Sequence, residues 1–259
     1  MILIDKYAYA SKLARISPKV KLIYTMFPLI LCISLNSFSV SIVTIFVMAV
    51  TTVGVGKIKF SAYLKLLFIP FGFLMVGTIT ILINRFDLNH IYLLGIKIDN
   101  YAYGIDRVTL TNSLKLVLNA LGGVSCMYCL SLSTPMSDLF QVLRQTKLPA
   151  VIVTLMELVY RYIFVLMDEI GRMNIAKNSR LGNCNFKTSL KSTSELIGML
   201  FIRAYNRSDR VYAALESRGY NGQFVTLDEE YINGKRMHML SILLCLLLLS
   251  AGLAERFLL

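Results

Sequence analysis

The stretch LIYTMFPLILCISLNSFSVSIVTIFVMAVTTVGV, residues 22–55, decides the class of this protein. It contains no Asp, Glu, Lys or Arg, and Asn36-Ser37 divides it into two apolar runs, 22–35 and 38–55. An apolar helix of about 20 residues crosses the roughly 30 Å hydrocarbon core of a bilayer. The second run has that length, and the first reaches it with its flanks. Two more runs follow at 64–83 and 110–132, and a last one at 238–253. Pro28, Pro70, Gly72, Gly77 and Gly122-Gly123 fall inside these runs. Such residues are tolerated where neighbouring helices satisfy the freed backbone groups, and glycines permit close helix contact.

The whole composition agrees. Of 259 residues, 56% are hydrophobic and only 16% charged, with a mean hydropathy of +0.64. Soluble domains carry about 25% charged residues, so a soluble enzyme, a disordered chain and a coiled coil are all excluded. The expected fold is an all-α polytopic membrane protein with about five transmembrane helices and a cytoplasmic coupling region of long amphipathic helices.

The net charge of +12 reads as basic cytoplasmic loops rather than as a nucleic-acid surface. Lys6, Lys12, Arg15, Lys19 and Lys21 against Asp5 place the N-terminus inside, as an interfacial segment with no secretory signal. Lys57, Lys59 and Lys65 place the next link inside as well. The uncharged 36–37 link and the balanced 85–109 link fall outside. The expected organisation is 1–134 as the interfacial segment and four spans, 135–236 as the cytoplasmic coupling region, and 237–259 as the fifth span.

Residues 135–236 hold 14 of the 27 basic residues and 10 of the 15 acids. Thr134-Pro135 signals a helix start, with Thr as the N-cap and Pro at the first helical position, for a helix to about residue 146. Pro149 opens a long helix to about residue 180. A polar stretch, 181–188, precedes a third helix over 190–218. Residues 150–167 are apolar enough to span. Glu157 and Arg161, however, are spaced to pair on one face, and both flanks are basic. The expectation is a helix along the inner membrane surface.

No phosphate loop, nucleophile motif or histidine–carboxylate cluster appears, so no catalytic residue and no cofactor is expected. Energy for transport would come from a partner. Cys126-Met-Tyr-Cys129 reads as small apolar filler in a span, and the two histidines, His90 and His238, lie far apart, so no metal site is expected. The informative feature is a repeated helix ending: Ser179-Arg180-Leu181-Gly182 and Ser217-Arg218-Gly219-Tyr220. An arginine in a last turn with glycine just after it is ordinary helix capping. The functional reading gives each guanidinium to a carboxylate in a partner's groove. Arg203, Arg207 and Arg210, at i, i+4 and i+7, form one face that is either solvated or a docking surface.

Several stretches resemble the CbiQ family, the transmembrane T components of cobalt energy-coupling factor transporters. They are Asp5-Lys-Tyr-Ala-Tyr-Ala10 with Leu13-Ala-Arg-Ile-Ser17-Pro18, Phe71-Gly-Phe-Leu74 with Gly77-Thr-Ile-Thr80, Thr134-Pro135, Tyr160-Arg161-Tyr162 and Asp168-Glu169. The two Ser-Arg endings are similar to the family's paired Ala-Arg-Gly motifs, with Ser for Ala in both and Leu181 for Gly in the first. That departure bears on the geometry of the first ending and leaves Arg180 in place, so Arg218 is expected to matter at least as much as Arg180. The resemblance implies a multi-pass protein of the cytoplasmic membrane that bridges two ATPase subunits to a substrate-binding membrane component, which itself holds the metal. It implies that Ser179, Arg180, Leu181, Ser217, Arg218 and Gly219 couple to the ATPases. Membrane lipid is the remaining expected partner. A general vitamin-type T component, or nickel as cargo, is the alternative; an intramembrane enzyme or self-sufficient channel would need more ionisable residues in the spans than Lys115 supplies.

Overall fold

The computed structural model describes residues 3–82, 84–86, 94–98, 101–105, 107–220, 231 and 235–258. The elements are α1 (Leu3–Ala10), a 3-10 turn (Lys12–Arg15), α2 (Pro18–Leu35), α3 (Phe38–Val50) extended by a π turn (Thr51–Val55), and α4 (Phe60–Leu82). Three strands follow, β1 (Asn84–Phe86), β2 (Leu94–Ile98) and β3 (Tyr101–Ile105). Then come α5 (Arg107–Ser133), α6 (Met136–Arg144), α7 (Ala150–Ser179), α8 (Phe186–Ser217) and α9 (Lys235–Leu258). The chain divides into two compact units. One comprises residues 2–138 with 230–259, and the other residues 139–229.

In the first unit α5 is the central helix, packed by α1, α2, α3 and α4, while α9 closes against α2 and α3. α2, α3, α4, α5 and α7 are long and apolar enough to cross a membrane, and α9 carries a shorter apolar segment, Met237–Gly252. The core gathers Tyr24, Cys32, Val40, Met48, Cys126, Cys129 and Leu248. Lipid is as apolar as leucine, so close packing rather than hydrophobic exclusion holds such helices together. Gly122 shows how. A Cβ there would lie 2.8 Å from Cys32 Sγ, so α5 can sit this close to α2 only without a side chain.

Several buried hydroxyls are spent locally. Thr44 Oγ1 donates to the Val40 carbonyl at 2.7 Å and Thr52 Oγ1 to that of Met48 at 2.6 Å. Each donates back to its own helix, which satisfies these two hydroxyls within the apolar layer.

Two long-range ties define the ends of this unit. At one end Lys21, fully buried, donates through Nζ to the Ser133 carbonyl at 3.2 Å and the Ala14 carbonyl at 3.5 Å. The ammonium therefore sits on the negative end of α5, where a cation is stabilised. Ser11 Oγ donates to the Gly56 carbonyl at the same end. That tie brings Lys12 beside Lys57, whose side-chain contact and like charge lower the Lys12 ammonium from its ordinary range. At the other end the Glu255 carboxylate accepts from Ser37 Oγ, from the Phe38 amide at 3.1 Å and from the Ser39 amide at 3.0 Å. A residue of α9 thus caps the N-terminus of α3, which no local sequence signal announces.

The helical segments match the sequence reading, with differences at their ends. α8 starts at Phe186, four residues before the expected position. Pro135 rather than Thr134 precedes α6, the Asp138 amide bonding to the Pro135 carbonyl, while Thr134 Oγ1 lies 3.4 Å from Ser133 Oγ. The strands were not anticipated. They form one antiparallel sheet in the order β1-β3-β2, with Arg85 opposite Tyr103 and Ile96 opposite Tyr103 on the other side. Lys97 and Arg85 lie in this sheet, in the stretch read only for its charge balance.

Candidate functional site

The second unit is built around an antiparallel pair, α7 and α8. Lys177 Nζ donates to Thr193 Oγ1 at 3.1 Å, Arg203 pairs with Glu169 at 2.7 Å, and the Arg207 guanidinium lies 5.8 Å from the centre of the Tyr162 ring. The three contacts step up α8 as they step down α7. α6 is tied to α7 separately. Phe140 meets Tyr160 edge-on at 5.7 Å, Tyr160 meets Phe164 at 5.1 Å, and Arg144 pairs with Glu157 at 2.5 Å. The two tyrosines of Tyr160-Arg161-Tyr162 therefore serve opposite neighbours, α6 and α8, and Arg161 between them is exposed.

These contacts bear on two readings. Glu157 pairs with Arg144 rather than with Arg161, because the turn after α6 brings Arg144 back onto α7. Arg203, though about half exposed, and Arg207 each meet α7, so the three-arginine face is partly engaged. Both are turned to α7, one in an ion pair and one over an aromatic ring, while Arg210 is exposed.

The repeated endings are the best-defined feature of this unit. α7 has its C-cap at Arg180, and α8 at Arg218. After Arg180, Leu181 takes φ +57, and after Arg218, Gly219 takes φ +69. The Gly182 amide donates to the Lys177 carbonyl at 2.9 Å and the Leu181 amide to the Asn178 carbonyl at 3.0 Å. In the second ending Tyr220 donates to Leu215 at 3.0 Å and Gly219 to Glu216 at 3.0 Å. Both are the same Schellman closure, residue for residue. Leu181 therefore does not alter the first ending. It occupies the left-handed position that glycine holds in the second, at a conformational cost of about 1–2 kcal/mol for a residue with a Cβ.

Gly182 is needed for a different reason. A Cβ there would fall 2.6 Å from Lys177 Cγ and 2.9 Å from the Lys177 carbonyl oxygen. Its own carbonyl accepts from Ser192 Oγ at 2.8 Å, which fastens the first ending to α8. Ser179 and Ser217 fold back onto their own helices, donating to Ile175 at 3.1 Å and Ala214 at 3.0 Å. Neither serine reaches outward; Arg180 and Arg218 are both exposed. Arg180 also borders a cavity of about 610 Å³ with Lys177, Lys191, Glu195 and Arg203. Because α7 and α8 are antiparallel, the two arginines lie at opposite ends of the hairpin. At 1.5 Å per residue, the 32 residues of α8 separate its ends by about 48 Å.

The hairpin leaves much apolar surface open. α8 has no buried residue among those described, and Phe186, Phe201 and Tyr212 are each more than two-thirds exposed. Surfaces of this kind mark contact with a protein or a membrane. Elsewhere, Cys126 and Cys129 are buried in the core of the first unit with Cys32, and all are free thiols. No group of three or more potential metal ligands occurs among the described residues. His90 lies outside them.

The architecture defines a class: a polytopic helical membrane protein carrying an antiparallel amphipathic hairpin with a matched arginine ending at each end. The family profile described as "Cobalt transport protein", CbiQ, matches residues 10–227. The chain belongs to the CbiQ family. It is 34% identical to an uncharacterized protein of Methanocaldococcus jannaschii over 87% of this chain and 83% of that one. It is 26% identical to the cobalt transport protein CbiQ of Salmonella typhimurium, over 85% of this chain and 98% of that protein. It is also 26% identical to the energy-coupling factor transporter transmembrane protein EcfT of Staphylococcus aureus, over 80% of this chain and 78% of that one.

Proposed function

We propose that this chain is the membrane-embedded coupling component of an ATP-driven energy-coupling factor transporter for cobalt. It contributes no catalysis and links two ATPase subunits to a separate membrane component that binds the metal. The observation that carries this reading is the pair of superimposable helix endings, each presenting one exposed arginine from the same closure at opposite ends of one hairpin. A symmetric pair of partner subunits needs the same grip twice, and a guanidinium fork suits a carboxylate in each groove. The Arg203–Glu169 ion pair, the Lys177–Thr193 hydrogen bond and the Arg207–Tyr162 contact between α7 and α8 brace the hairpin, so that movement of either end is passed along its length. Open apolar residues on α8 supply a surface for a partner. Similarity to EcfT as well as to CbiQ supports a second reading, in which the same coupling serves a vitamin-binding component.

The proposed topology puts the N-terminus, residues 57–65 and the hairpin on the cytoplasmic side, with residues 36–37 and the end of α9 outside. The Ser11–Gly56 and Glu255–α3 ties support the grouping of these ends. α7 is long enough to cross but lies on the inner surface in this reading. Single cysteines at 147 and 177 test it: both should be labelled from the cytoplasmic side, and labelling from opposite faces would overturn the topology.

Transport itself is tested by expressing the chain with its ATPases and metal-binding component and measuring ATP-dependent cobalt uptake. Changing His90, Cys126 and Cys129 together to Ala should leave that uptake within about threefold, since a buried cysteine behaves as a small apolar residue. A tenfold loss with normal assembly would assign metal handling to this chain. Uptake by the chain alone would favour a channel.

A further inference from the structure

We propose that the cleft between α2, α4 and α5 is a binding site for one lipid, whose anionic phosphate pairs with Lys115. The cleft has a volume of about 1030 Å³. Its polar residues, Asn36 of the α2–α3 turn with Asn112, Lys115 and Asn119 in the N-terminal half of α5, are concentrated toward one end. Asn36 ends α2 in the left-handed conformation, at the charge-free turn that joins α2 to α3. That turn marks the membrane edge, so the Lys115 ammonium lies at headgroup depth. Among the described residues Lys115 has no ion-pair or hydrogen-bond partner. Asn119, one turn below, is already engaged. It donates to Asn36 Oδ1 at 3.2 Å and accepts from Cys32 Sγ at 3.1 Å. Among the described residues Asn112 and Lys115 thus keep free donors, both at the mouth.

Below them the cleft is lined mainly by apolar side chains, including Leu29, Ile33, Val124 and Met127, and it reaches Pro70 and Tyr128. From Lys115 to Tyr128 along α5 is about 20 Å at 1.5 Å per residue. One leaflet with its headgroups is also about 20 Å deep. A cation at the rim over one leaflet's depth of apolar wall matches a two-chain phospholipid in charge, length and polarity. The floor is open as well: a Cβ on Gly123 would meet nothing within 4 Å. A lysine near a membrane surface favours an anionic lipid by about fivefold. This inference does not depend on the transport reading.

The test is native mass spectrometry of the purified full chain, offered dioleoylphosphatidylglycerol, dioleoylphosphatidylcholine or inorganic phosphate. The expected result is one retained lipid, with phosphatidylglycerol preferred about fivefold and phosphate alone not retained. Lys115→Gln should abolish the preference and keep the lipid. Gly123→Leu, which fills the floor without touching Lys115, should reduce retention of both lipids. Equal retention of the two lipids by the unaltered chain, an unchanged preference in Lys115→Gln, or retention of phosphate alone would overturn the proposal. So would cross-linking of a cysteine at position 123 to a membrane partner in the assembled complex, which would show a protein helix in the cleft.

Discussion

The ends of α7 and α8 close with the same hydrogen bonds from different residues. Gly219 enters the left-handed turn without a Cβ, and Leu181 enters it at φ +57 with one. At the next position the roles reverse. Gly182 is pressed against Lys177 and tied to Ser192, while Tyr220 stands in its place at the second ending. The comparison teaches that the closure is set by the peptide hydrogen bonds, and that glycine appears where backbone crowding or conformation demands it. The first ending places its glycine where chain meets chain; the second places it where the backbone turns.

If the two endings are equivalent grips, the largest effects come from their arginines. Arg180→Ala combined with Arg218→Ala should release the ATPases or uncouple hydrolysis from uptake. Each single change should weaken docking by about tenfold or more, since a charge-assisted hydrogen bond contributes about 1.5–3 kcal/mol. The shared geometry makes the two losses similar, within the expectation that Arg218 matters at least as much as Arg180. Glu at either position should be worse than Ala, and Lys should rescue only in part because it lacks the planar fork. Co-purification and transport measure all of these. Normal assembly and transport by the double Ala variant would leave the arginines as ordinary helix caps.

A smaller effect separates the endings. Gly182→Val forces a side chain against the Lys177 carbonyl and should destabilise the hairpin by about 1–3 kcal/mol, as overpacking does. Loss of binding at the Arg180 end with the Arg218 end intact is expected in cross-linking to the ATPases. Equal loss at both ends would mean that the hairpin is one cooperative unit.

The smallest effects concern conformation alone. Leu181→Gly relieves the left-handed strain and, after the backbone entropy of glycine is deducted, should raise stability by about 0.5–1 kcal/mol. Gly219→Ala, with open space around it but φ +69, should lower stability by about 1 kcal/mol. Thermal unfolding in detergent measures both. A stabilised Gly219→Ala variant would show that the second ending does not hold this closure in solution.

Much of the architecture was legible in the chain. Long apolar runs mark the membrane helices, and the basic and acidic residues crowded into 135–236 mark a different environment. Pro149 and the Ser-Arg pairs marked the limits of α7 and the end of α8 because caps are local chemistry. The 84–105 sheet was not legible. Its strands are three to five residues long and interrupt a segment read only for charge. Nor was the capping of α3 by Glu255, since more than two hundred residues separate the partners.

The sequence alone determined the class of protein, the approximate extents of its helices, and the two Ser-Arg endings. Those properties depend on hydropathy and capping within a few residues. Only the tertiary structure decided which neighbour each charge meets. It gave Glu157 to Arg144, turned Arg203 and Arg207 toward α7, and buried Lys21 on the end of α5. It also left Lys115 at the mouth of a cleft. The physical reason is that spacing along a helix fixes which residues share a face, whereas the partner of that face depends on how separate helices pack.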